Sequence, residues 1–198
     1  MAHRFAEIAF TPEIRELQRR AGSRDAYARR EAVPEAVNAA FGPREAAFIE
    51  SRDSFYMATI GGNGWPYVQH RGGPPGFLRV LDPRRIGFAD VRGNRQYISV
   101  GNVAADDRVS LFLMDYPART RLKMFGRARL VEGDALAGWL EAGGMAVDGV
   151  VERGVEIALE GFDWNCPQHV TPRFTAAEVE AMAAPLRARI AELEAGRV

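Results

Sequence analysis

From Ser54 onward the chain changes rhythm: apolar residues stop recurring every three to four positions and instead alternate with polar ones or bunch in short runs. Six such runs, Phe55 to Ile60, Trp65 to Arg71, Phe77 to Leu81, Arg85 to Asp90, Val109 to Asp115 and Leu122 to Val131, predict strands, and Val150 to Phe162 predicts a seventh. Gly61-Gly62-Asn63-Gly64 joins the first two as a hairpin, because glycine and asparagine tolerate the positive φ of a tight turn. Asp82-Pro83 and Tyr116-Pro117 mark two later turns.

The spacing before Ser54 is helical. Thr11-Pro12-Glu13 supplies a cap, a first-turn proline and a first-turn acid, and Ile14, Leu17, Gln18 and Ala21 follow on one side up to Gly22. Ser23 caps a second helix carrying Tyr27, and Gly42-Pro43 opens a third with Ala47, Phe48 and Ser51 on neighbouring turns. Between strands, Asn94 is placed to cap a short helix through Tyr97, Ile98 and Val100 towards Asn102, and Asp134 to Glu141 predicts another. Thr175 and Glu178 form a capping box that opens a helix to Glu194, which Pro185 is expected to kink or restart. Met57, Met114 and Met124 lie on strands and are expected in the core. Successive strands joined by tight turns predict a mainly antiparallel barrel with peripheral helices. A single domain spans 1–198, with a helical N-terminal extension over 1–52 and a C-terminal helix over 175–195.

Composition narrows the function. The 198 residues hold 26 basic and 26 acidic side chains, so no basic surplus argues for nucleic acid or an anionic membrane. No apolar run approaches the roughly 20 residues needed to span a bilayer, and no secretory signal pattern is present, which predicts a soluble cytoplasmic protein. Cys166 is the only cysteine and has no intramolecular disulfide partner; nothing marks it as a nucleophile. His3, His70 and His169 are far apart in sequence, which predicts no metal site. Walker, nucleophile-elbow and Rossmann patterns are absent.

The candidate chemistry clusters between Gly61 and Gln96. Alternation puts Gln69 and Arg71 on one strand face and His70 on the other, and Gly72-Gly73 lets a ligand approach the backbone. If Asn94 caps a helix, the amides of Arg95 and Gln96, the helix dipole and the Arg95 guanidinium converge on a spot suited to a phosphate. A surface strand edge and a capped surface helix with a solvated arginine produce the same two patterns. Arg121 and Lys123 share a face of the sixth strand, opposite Leu122 and Met124, where a cation can face the electron-rich end of a flavin or simply solvent. Asp163 to His169 is dense in hydrogen-bonding and aromatic groups. Trp164 suits ring stacking or a subunit contact, Asn165, Gln168 and His169 suit cofactor or substrate, and all four are expected on the substrate side of the site, from the same subunit or its partner. The alternative is a turn with one packed tryptophan.

Taken in order, Trp65-Pro66, Ile86-Gly-Phe-Ala-Asp90, Gly93-Asn-Arg-Gln96, Asp107-Arg108-Val109, Tyr116-Pro117 and Gly126-Arg127-Ala128 resemble the pyridoxamine 5'-phosphate oxidase-like family over Phe48 to Gly133, and more weakly to His169. The resemblance implies an FMN-binding split β-barrel that works as a homodimer with the cofactor at the subunit interface. It implies cofactor contacts from Gln69, His70, Arg71 and Gly72, from Ala89 and Asp90 at a strand end, and from Asn94, Arg95 and Gln96 in the phosphate-binding run. Arg121 falls where the barrel presents a polar group to the ring. Two lysines of the authentic oxidase are replaced by Pro74 and Gln96, and its C-terminal arginine and histidine substrate motif is missing. The expected function is therefore an FMN-dependent oxidoreductase passing electrons from a reduced nicotinamide donor to a small acceptor, with no catalytic residue assigned. The alternatives are a non-catalytic protein that binds or senses a flavin, deazaflavin or haem, with His70 or His169 as a haem ligand, and a barrel that has lost its cofactor.

Overall fold

The computed structural model describes residues 3–32, 38–145, 147–164 and 168–196. Seven strands form one sheet: β1 (Ser54–Ile60), β2 (Pro66–Gly72), β3 (Leu78–Asp82), β4 (Arg85–Val91), β5 (Arg108–Asp115), β6 (Thr120–Val131) and β7 (Val151–Trp164). Their order is β2-β1-β5-β6-β7-β4-β3 and every pairing is antiparallel. Gly61 to Trp65 close the first hairpin: the Gly61 amide donates to the Trp65 carbonyl at 2.9 Å and Gly64 takes φ 82°.

The sheet curls on itself. Phe55 of β1 and Phe88 of β4 stand four strand positions apart, about 19 Å in a flat sheet. Their rings meet edge to face at 5.4 Å between centroids. Only a barrel brings them together. Its interior is filled by alternate residues: Phe55 and Met57 from β1, Leu111 and Leu113 from β5, Leu122 and Met124 from β6, Ile157 and Phe162 from β7, all nearly inaccessible. β2 and β3 are the two ends of the sheet, with no ladder between them, so the barrel is split along that line.

Helices lie outside. They are α1 (Arg4–Ala9), α2 (Pro12–Arg20), α3 (Arg24–Glu31), α4 (Pro43–Glu50), α5 (Ile98–Ala105), α6 (Asp134–Ala142) and α7 (Ala176–Ala195). α4 buries Ile49 completely against the core, and its entry is fixed by Glu45, whose carboxylate accepts from the Gly42 amide at 3.0 Å. α5 is tied to the barrel by Asn102, which donates to the Thr59 hydroxyl at 2.9 Å. Trp139 of α6 lies across Gly87 and Gly154 on adjacent strands and donates to buried Glu156 at 2.9 Å. The Thr175–Glu178 capping box is formed, with the Thr175 hydroxyl accepting from the Glu178 amide at 3.2 Å. Among the described residues no helix is long and apolar enough to cross a membrane.

The mainly β barrel with peripheral helices is therefore the architecture expected. Three local details add to the expectation or differ from it. α1 has no counterpart in the sequence reading, because it is six residues long and its Phe5 packs on Phe125 rather than on a helical neighbour. α7 runs through Pro185 without restarting. Met114 is not core: it sits on the outer face of β5 opposite Arg121, one residue out of phase with Leu113.

Candidate functional site

The split in the barrel is where the chemistry gathers. Tyr67, Gln69 and Arg71 occupy alternate positions of β2, opposite Thr59, Met57 and Phe55, so all three turn towards the barrel side of the sheet. Arg71 reaches across the split and donates to Asp90 of β4 at 2.7 Å. Asp90 is buried, and its other oxygen lies 3.6 Å from the Arg153 guanidinium. This ion pair joins strands five positions apart in the sheet.

On one side of the pair lies a cleft of about 210 Å³ lined by Gln69, Asn94, Arg95, Gln96, Ser99 and Glu152 among others. On the other side lies a smaller one of about 180 Å³, lined by His70, Gly72, Phe77 and Ala89 with Arg71 and Asp90 shared. Nine of the ten expected cofactor residues thus line the two clefts, two of them being the ion pair itself. Arg121 is the exception: it projects from the outer face of β6, its guanidinium 5.7 Å from the Phe112 ring centroid, and lines neither cleft. His70 also faces outward, edge-on to Tyr56 at 5.6 Å, as its strand parity requires.

The loop from Arg92 to Tyr97 departs from expectation. Asn94 does not cap a helix; its side-chain oxygen accepts from the Gln96 amide two residues on, at 3.2 Å, and the helix begins four residues later at Ile98. Arg95 and Tyr97 both take left-handed backbone, φ 60° and 53°, a conformation that non-glycine residues adopt at a cost. The strained turn is held by side chains: Arg95 Nε donates to the Tyr97 hydroxyl, which donates to Glu152, each at 3.2 Å. Tyr97 stands at the N-cap without a side-chain cap. The amides of Ile98, Ser99 and Val100 precede the first intrahelical bond, from Gly101 to the Tyr97 carbonyl, and all three residues line the cleft. The helix end expected at residues 95 and 96 is instead at Ile98, and it lines the same cleft as Arg95.

Gln69 is fixed by the Ser99 hydroxyl, which donates to its side-chain oxygen at 2.7 Å and is itself buried. Its amide nitrogen is left to face the cleft. Tyr67, Ser99 and Glu152 were not singled out from the sequence. Tyr67 shares the parity of Gln69 and Arg71, which was signal enough to find it. Ser99 and Glu152 come from a helix and a distant strand and carry no local mark.

The cleft is electrically balanced, with Arg71 and Arg95 facing Asp90 and Glu152. Glu152 is held below its ordinary carboxyl range by the hydrogen bond from Arg92, against some desolvation and with help from Tyr97. Both acids are thus engaged by cations. The Arg71 Nε is buried without a hydrogen-bond partner among the described residues. The donors on offer, three helix-end amides, two guanidinium groups and one carboxamide, fit a phosphate ester joined to a polar chain.

Trp164 stands elsewhere. It packs edge to face on Phe48 at 4.8 Å, donates to Glu45 at 2.8 Å and carries the Arg44 guanidinium 4.3 Å from its ring centroid. The substrate-side position expected for it is not beside the cleft of the same chain. Gln168 and His169 are exposed, and Asn165 and Cys166 lie outside the described residues.

A curled antiparallel sheet split between its two ends, with a cleft at the split, defines the split-barrel class. The family model for pyridoxamine 5'-phosphate oxidase matches residues 41–153, more than half of the chain, and the protein belongs to that family. Solved structures agree on the fold. A putative pyridoxamine 5'-phosphate oxidase from Lactobacillus delbrueckii is 18% identical at a TM-score of 0.50, the match covering 63% of this chain and 93% of that one. HupZ from Group A Streptococcus is 14% identical at a TM-score of 0.50, covering 68% and 100%. No curated protein matches the sequence.

Proposed function

We propose that the protein is an FMN-binding oxidoreductase that works as a homodimer and passes electrons from a reduced nicotinamide donor to a small acceptor. The observation that carries this reading is the cleft at the split, where the unspent amides of α5, Arg95 and Arg71 converge. In this reading Arg95 and the α5 amides bind the phosphate, Arg71 borders it from across the split, and the Gln69 carboxamide faces the polar chain or ring edge. When bound, the flavin supplies the electron-accepting ring. A cavity of about 210 Å³ is smaller than the ~300–1,000 Å³ of ordinary small-molecule sites. One chain therefore encloses the phosphate end only, and a second copy supplies the cover for the ring. In this reading Arg121, on the outer face, acts on a partner's cofactor, where it would stabilise charge that accumulates on reduction.

Pyridoxamine phosphate itself is a poor candidate substrate. Pro74 and Gln96 stand where the authentic oxidase carries lysines, and the two arginines of the cleft already face two carboxylates. A second phosphate would meet little surplus positive charge.

The test is to purify the protein, record its visible spectrum and identify any released chromophore by mass. FMN at about one per chain, reduced by a nicotinamide donor, supports the whole reading. Bound FMN without turnover keeps the cofactor and replaces the enzyme with a flavin-binding protein. A colourless protein that takes up no added FMN overturns the proposal.

A further inference from the structure

The largest cavity described lies away from the split. It measures about 430 Å³ and is enclosed between α1, α3 and the outer face of β6 and β7. Of the residues lining it, only Lys123 falls within the span matched by the family model. The cavity is a product of the N-terminal helices that this chain adds to the barrel.

Its walls are aromatic. Phe10 and Tyr27 meet edge to face at 5.4 Å, and Phe5 and Trp164 stand across from them. Phe5 is nearly buried, stacked on Phe125 with Lys123 over its ring, and forms the floor on the barrel side. Its polar groups are arranged by charge. Lys123 is paired to Asp163 at 2.9 Å and lies 4.9 Å from the Phe5 ring centroid, and Arg30 stands exposed at the margin. Lys123 and Asp163 offset one another, and Arg30 leaves the lining with one surplus positive charge. His3 is mostly buried; its Nε2 lies 3.9 Å from Asp163, while its Nδ1 is buried without a hydrogen-bond partner among the described residues.

We infer that this cavity is a second ligand site, which takes a small planar aromatic carboxylate. Its volume falls within the ordinary range for small molecules. The ring of the ligand lies against the aromatic walls, and its carboxylate faces Arg30 with Lys123 behind it. The inference does not depend on the cofactor reading, since the two cavities share no residue.

The test uses the full chain and 4-fluorobenzoate as probe, followed by fluorine NMR line broadening, with 4-fluorobenzylamine as the oppositely charged control. The benzoate is expected to bind in preference to the benzylamine. Arg30→Met is expected to weaken benzoate binding about tenfold, as does loss of a charge-assisted contact elsewhere. Tyr27→Ala should weaken it as well, with melting curves confirming that both variants fold. Equal binding of the two probes overturns the inference, as does no binding at all. So does benzoate affinity left unchanged in Arg30→Met and also in Lys123→Met, which would place the probe elsewhere.

Discussion

Arg71 and Asp90 are the pair on which the split depends, and they pull in two directions. A 2.7 Å contact between nearly buried partners anchors β2 to β4, yet it spends on a carboxylate the guanidinium that an incoming phosphate also seeks. Asp90→Asn keeps an acceptor for Arg71 but removes the competing charge. It is expected to lower the melting temperature while tightening FMN relative to riboflavin, which lacks the phosphate; paired titrations of the two ligands check this. Arg95 ties down only its own exposed turn, through Tyr97, and takes no part in joining the strands of the barrel. Arg95→Ala should weaken FMN binding about tenfold or more with the melting point of the ligand-free protein unchanged. At this scale the sequence was legible in residue type and parity. It showed Gln69 and Arg71 on one face with His70 on the other, but it put the helix end at Asn94. The turn is instead set by two left-handed non-glycine residues, Arg95 and Tyr97, and Glu152 holds the Tyr97 hydroxyl from a distant strand, a contact that no window of local sequence contains.

At the scale of elements, strand pattern and turn chemistry named every strand, because alternation persists even in β2, whose more sheltered face carries no fully buried residue. The helices were harder. α1 is too short for a period, and its position is decided by Phe125 and by Gly161, whose missing side chain leaves room for the α1 backbone. α6 was legible as a helix, but its seat was not. A Cβ on Gly154 would fall 2.4 Å from the Trp139 ring, so Gly154→Ala should cost about 1–3 kcal/mol by overpacking. The loss should shrink in the double variant with Trp139→Ala, as chemical denaturation of the four-member cycle will show. Beneath that indole, burial opposes ionisation of Glu156, but hydrogen bonds from Arg129, Trp139 and Arg85 outweigh it and hold the carboxyl below its ordinary 4.5. Glu160 is lowered too, chiefly by its hydrogen bond from Arg4. Lowered acids contribute stability that is complete above the unfolded value and lost as pH falls through the folded one. The melting temperature should therefore hold above about pH 4.5 and drop below it. Glu156→Gln should flatten part of that acid limb.

Across the whole molecule, the barrel was legible from strand count and tight turns, whereas the strand order was not. Only the order shows that β2 and β3 are the two ends of the sheet and that β2 and β4, near in sequence, are held together by side chains alone. The same arrangement explains why Arg121 and Trp164 read as site residues yet lie away from the cleft of their own chain. α7 likewise stands apart, its Val179, Met182, Leu186, Ile190 and Leu193 at least half exposed along the helix.

The end position of β2 also bears on how the protein fails. An edge strand offers unpaired amides and carbonyls to any other strand that approaches, and here it carries Val68 largely exposed, beside an exposed Trp65 in the hairpin. A ligand lodged between β2, β4 and α5 would restrain that edge from peeling away and recruiting another chain. Loading with FMN should thus suppress aggregation during mild heating, seen as a delayed rise in light scattering, and Arg71→Ala should bring the rise forward. Solubility in the cell would then follow cofactor supply, with empty chains the first to clump.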